Sequence, residues 1–100
     1  MAKTTRASEA SKTLKVARDL RVAAATATYA ALRGAAGAQE GRIVLDARQV
    51  EKVDAAGIQA LLAGRAALAA GGKKVAWLGC SVQLKSAAAL LGLTQALELP

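Results

Sequence analysis

The sequence predicts an α/β domain: a small mixed or mostly parallel sheet with helices packed largely on one face. Short apolar strands alternate with longer helical stretches along the 100 residues. Strand–helix–strand units of this length require parallel neighbours and right-handed crossovers. The first strand alternates apolar and polar residues, so helices are expected over one face of the sheet only. Apolar residues make up 54% of the chain, largely as alanine, and there is no Phe. The core is therefore expected to be aliphatic, with backbones in close approach.

Residues 1–12 (MAKTTRASEASK) are small, polar and charged and read as a flexible basic lead-in, leaving residues 13–100 as one domain. Residues 13–20 (TLKVARDL) alternate as a strand with one buried face. In the following segment Val22, Ala25, Tyr29, Leu32 and Ala36 recur at spacings of three and four, one face of a helix. Ile43, Val44 and Leu45 are consecutive strong apolars, the pattern of a central strand buried on both faces. Next, Ile58, Leu61, Leu62, Arg65 and Leu68 or Ala69 form a helical stripe, with Arg65 laying its stem on the core edge. Gly71 and Gly72 stop that helix. Residues 73–80 (KKVAWLGC) read as another short buried strand. Ser81 is a natural N-cap for a third helix. Its buried face is either Val82, Ala89 and Leu90 or Leu84, Ala87, Ala88 and Leu91, and Gly92 ends it. Residues 95–99 (QALEL) read as a last edge strand. The expected order is β-α-β-α-β-α-β.

The composition removes several function classes. There is no His and one Cys, which excludes Ser-His-Asp and Cys-His catalysis and leaves no zinc site of the usual kind. No Gly-rich phosphate loop or paired-carboxylate spacing is present, so neither enzymatic activity nor a metal or cofactor is expected. The formal net charge is +7, and residues 1–21 hold six basic residues against two acids. Only two aromatics, Tyr29 and Trp77, are available, too few for the stacking platforms of single-strand nucleic-acid binders. Nucleic acid is therefore not an expected partner. The N-terminus has no signal-peptide core, and no long uncharged apolar run occurs, so membrane insertion is not expected and a cytoplasmic location is. Asp46 reads as a structural group at a strand end and Cys80 as an inert small hydrophobe.

The most informative segment is residues 52–62 (KVDAAGIQALL), where a short strand runs through Asp54 and Gly57 into an apolar helix. Asp54 fits an N-cap, and Gly57 fits close packing of helix on strand. Residues 43–93 resemble the STAS domain of the bacterial anti-anti-sigma factors. The resemblance rests on four features in order: IVLDA, then VDAAGIQALL, then AAGGKKVAWLG, then SVQLKSAAALLGL. Residues 13–40 match more loosely, as the strand and first helix. The family's turn is commonly V/M-D-S-S-G-L. Here the D-S-S-G positions read Asp54, Ala55, Ala56 and Gly57.

The resemblance implies a non-enzymatic regulatory module that binds a partner through the 54–59 turn, with Asp54, Ala55, Ala56, Gly57 and Gln59 as the candidate contacts. In the sigma-regulating members a kinase phosphorylates a serine of this turn, where helix N-terminal N–H groups and the macrodipole favour added negative charge. Ala56 occupies the phosphoacceptor-equivalent position and has no oxygen to modify. Gln59 matches the V-D-x-x-G-x-Q-x-L-L form common in short non-phosphorylatable STAS proteins that resemble modules found with chemotaxis proteins. The implied partner is a bacterial signalling protein: a kinase, an anti-sigma factor or a chemotaxis component. The alternative is an accessory STAS subunit docking on a lipid-transport ATPase.

Overall fold

A computed structural model describes residues 10–100 of the chain. The expected lead-in over residues 1–12 therefore falls mostly outside the described residues; its last two, Ser11 and Lys12, already belong to the first strand. The elements are β1 (Ser11–Lys15), β2 (Asp19–Leu20), α1 (Val22–Ala35), β3 (Arg42–Ala47), β4 (Lys52–Val53), α2 (Ala55–Ala70), β5 (Lys74–Cys80), α3 (Val82–Leu90) and α4 (Thr94–Leu97).

The main sheet has the order β1-β3-β5, and both pairings are parallel. A second pair, β2 with β4, is also parallel. The long 13–20 strand is thus two strands, broken at Val16–Arg18, and the segment before Asp54 contains a two-residue strand. Among the described residues every pairing is parallel, as the crossover argument requires.

Side chains alternate across β3, so this strand is fully buried on one face and not on both as its run of apolar residues suggested; Val44 is half-buried and Arg42 exposed on the other face. Ile43, Leu45 and Ala47 are fully buried and join one core with Leu32, Ile58, Leu61, Leu68, Leu84 and Leu97. Each large aliphatic side chain in this layer contributes roughly 1.5–3 kcal/mol through burial. The buried helix residues belong to the same core cluster as this face of the sheet, as the half-polar β1 predicts.

Two helical stripes differ from expectation. On α1 the buried residues are Thr28, Leu32 and Ala35, while Val22 is 69% exposed. The reason is the close approach of α2. A Cβ built on Gly64 would lie 2.7 Å from Leu32 Cβ and Cδ2, so Leu32 fills the notch that the missing side chain leaves. That contact sets the rotation of α1 and leaves Val22 at the exposed helix start. On α3 the second option holds in part: Leu84 and Ala88 are buried, whereas Val82, Leu90 and Leu91 are exposed. Ser81 caps α3, its hydroxyl accepting from the Leu84 N–H at 3.1 Å.

The last edge strand is not formed. Residues 94–97 are a single helical turn, and Leu97 is fully buried. The Trp77 indole N–H donates to the Leu97 carbonyl at 2.9 Å, and Arg65 pairs with Glu98 at 2.7 Å. One buried leucine held by a helical turn replaces the alternating contacts a strand would need. Arg65 does lie along the core edge as expected, with its side chain 17% exposed.

Candidate functional site

The 54–59 turn is built where β4 runs into α2. β4 pairs with β2, and the Asp54 N–H donates to the Leu20 carbonyl at 3.3 Å. The chain then turns directly into α2. The close approach is possible because residue 57 is glycine: a Cβ there would overlap the Leu20 carbonyl oxygen and lie 2.8 Å from Leu20 Cγ. Gly57 is therefore a packing requirement between helix and strand.

Asp54 does more than the expected N-cap. One carboxylate oxygen accepts from the Gly57 N–H at 2.9 Å. The other accepts from the Val22 N–H, also at 2.9 Å. A single side chain thus caps α2 and satisfies an N–H at the start of α1, whose own N-cap residue, Arg21, makes no side-chain capping bond. The Gly57 N–H holds the Asp54 carboxyl below the usual carboxylate range. The Val22 and Ala56 N–H groups and the Arg21 charge add to this, and partial burial opposes it. Sequence reasoning missed the second contact because Val22 lies 32 residues away.

The rest of the turn faces outward. Ala55 and Gln59 are exposed, Ala56 is half-buried, and Gly57 is buried under β2. Beside them is a shallow, open depression lined by Asp19, Arg21, Val22, Ala23, Ala24 and Asp54. Arg21 is held there by Asp19 through two bonds of 2.7 and 2.8 Å. The surface around the turn therefore consists of methyl groups, one exposed valine, one amide and one internally paired ion pair.

A model for the family described as "Mlab, STAS domain" matches residues 4–99. The chain belongs to the STAS domain family. A solved structure of a sulfate transporter family protein from Wolinella succinogenes shares the fold, with a TM-score of 0.72 over 87% of this chain and 70% of that one at 21% identity. No curated protein sequence matches the chain.

Other polar groups of this STAS domain serve structure. Asp46 is 7% exposed and accepts from the Arg48 backbone N–H and, twice, from its guanidinium. Those bonds hold its carboxyl below the usual range, the side-chain bond being the largest cause. It is a strand-end turn group, as its position predicts. The Gln49 amide donates to the Val16 carbonyl at 3.0 Å, tying down the break between β1 and β2. Burial pushes the Cys80 thiol up, away from the thiolate form that reactive cysteines need. Among the described residues no three His, Cys, Asp or Glu side chains gather as a metal site would require, and no helix is long and apolar enough to cross a membrane.

Proposed function

We propose that this domain is a non-enzymatic protein-docking module whose partner binds the surface around Ala55, Ala56 and Gln59, and that it acts in bacterial signalling of the chemotaxis or sigma-factor partner-switching kind. The single observation that carries the reading is the turn itself. A doubly capped helix start carries alanine methyls where, as the resemblance implies, the sigma-regulating members carry a modifiable hydroxyl. The docking surface therefore keeps one charge state, and binding is set by the partner's concentration or state. The paired Asp46, the protonated Cys80 and the absence of His all support a binding role over a catalytic one.

The matching family model is described as Mlab and not as a sigma or chemotaxis regulator, which favours a second reading. In it, the same turn docks the domain as an accessory subunit on a lipid-transport ATPase. One experiment tests the docking claim and separates the readings. The wild-type chain and the variant Ala55→Arg/Gln59→Lys, which leaves Asp54 and Gly57 intact, are immobilised and exposed to extract of the native cells. A protein retained by wild type and lost by the variant is expected. A kinase, anti-sigma factor or chemotaxis protein supports the first reading, and an ATPase subunit supports the second. Equal retention by both chains would remove the turn as the docking surface.

A further inference from the structure

The three strands of the main sheet leave their second face uncovered among the described residues. Opposite the buried Ile43–Leu45 side, the register aligns Ser11, Arg42 and Lys74 in one row. Thr13, Val44 and Ala76 form the next row, and Lys15, Asp46 and Gly79 the third. Ser11, Thr13, Lys15, Arg42 and Lys74 are all exposed, and Val44 and Ala76 are half-buried. The floor of this face is made of short side chains, with long cations at both ends.

Its charge is unbalanced. Asp46 is the only acid in the three rows, and Arg48 occupies it, laying its stem over Gly79, where a Cβ would meet Arg48 Cγ at 2.6 Å. Lys15, Arg42 and Lys74 have no carboxylate within ion-pair distance among the described residues, as is also true of Lys12, Arg33, Lys52 and Lys85; what sets them apart is that they share this face. The two end rows lie about 13 Å apart at roughly 3.3 Å per residue. That exceeds the screening length of about 8–10 Å at physiological salt, so Arg42 and Lys74, neighbours in one row, act together while Lys15 adds a separate positive charge at the other end.

We propose that this uncovered sheet face is a second docking surface, separate from the 54–59 turn, and that its occupant is an acidic protein surface. Charge complementarity selects an acidic partner and argues against a second copy of this net-positive chain. The chemistry of the face selects protein over the other polyanions. Both aromatics lie elsewhere, Trp77 packed against the core and Tyr29 on α1, so nucleobases have nothing to stack on. A lipid surface would need several large apolar anchors. Near this face there is one, Leu78, the extra residue where the β3–β5 register shifts, 51% exposed on the edge strand. One half-exposed leucine beside a cationic patch is too little apolar surface for a membrane anchor.

The test measures binding of a fluorescein-labelled peptide of alternating Glu, Asp and Ser to the full chain. Three proteins are compared: wild type, Lys15→Glu/Arg42→Glu/Lys74→Glu, and Arg33→Glu/Lys52→Glu/Lys85→Glu. The two triples change net charge equally, and all six positions are exposed. Circular dichroism and thermal melting confirm that each variant folds. The sheet-face triple is expected to weaken peptide binding about tenfold or more, with the control triple changing it by less than about threefold. Ala55→Arg/Gln59→Lys is expected to bind the peptide at least as well as wild type, so failure of the turn reading leaves this result unaffected. Equal loss in both triples would show diffuse charge and overturn the proposal, as would no peptide binding by wild type. Tighter binding of a single-stranded oligonucleotide, or of vesicles with anionic lipid, than of the peptide would overturn the choice of occupant.

Discussion

The two faces of β3 differ sharply in burial and charge. Ile43, Leu45 and Ala47 lie under the helices at 0% exposure, while Arg42, Val44 and Asp46 share the uncovered side. The strand is one continuous apolar run at Ile43–Leu45, yet only alternate residues hold the fold. The difference teaches that the aliphatic core and the exposed charge are divided by strand parity. One face supplies the aliphatic core, and the other is free to carry charge.

The largest expected effect breaks the buried side. Leu45→Ala should cost about 2–5 kcal/mol, since it leaves a cavity in the fully buried core. At about 4–8 °C per kcal/mol for a domain of this size, a thermal melt resolves it easily. Its neighbour Val44→Ala, on the open face, should cost below about 1 kcal/mol. Near-equal costs would mean that the second face is covered. Gly57→Ala comes next. Its new methyl meets the Leu20 carbonyl, and urea unfolding should show a loss of about 1–3 kcal/mol.

A third prediction concerns acid. The Asp54 carboxyl is held below its ordinary value by bonds made only in the folded chain, so its ionised form stabilises the fold above about pH 4. That stabilisation is lost as pH falls through the folded-state value. Asp54→Asn should therefore be less stable than wild type at pH 7 and differ less from it at pH 3, measured by chemical denaturation at both. A constant difference across that range would contradict the double-cap role. The smallest expected effect is on modification. Incubation with ATP and a kinase active on STAS turn serines should leave residues 54–57 unphosphorylated by mass spectrometry, and Ala56→Ser should gain at most partial acceptance.

Much of this was legible in the sequence because it rests on local signals. The Asp54 and Ser81 caps, the parallel connections and the Ile43–Leu45 strand follow from short-range pattern. What escaped depends on contacts far apart in the chain. The bond from Val22 N–H to Asp54 and the seating of Leu32 on Gly64 each join α1 to α2, and no spacing within either helix announces them. The C-terminal QALEL reads equally as alternation or as one helical turn. Burial of Leu97 beside Trp77, a tertiary fact, decides for the helix. For the candidate site, the residues of the turn were readable, but their exposure was not. It follows from how closely α2 sits on β2.

The central claim is that the unmodifiable turn, and not the charged sheet face, carries the docking of the family's kind of partner. The most direct measurement is the affinity of the recovered partner, by titration calorimetry, for wild type, Ala55→Arg/Gln59→Lys and Lys15→Glu/Arg42→Glu/Lys74→Glu. A loss of about tenfold or more confined to the turn variant, worth about 1.4 kcal/mol or more, is predicted. Undiminished affinity in the turn variant would contradict the account.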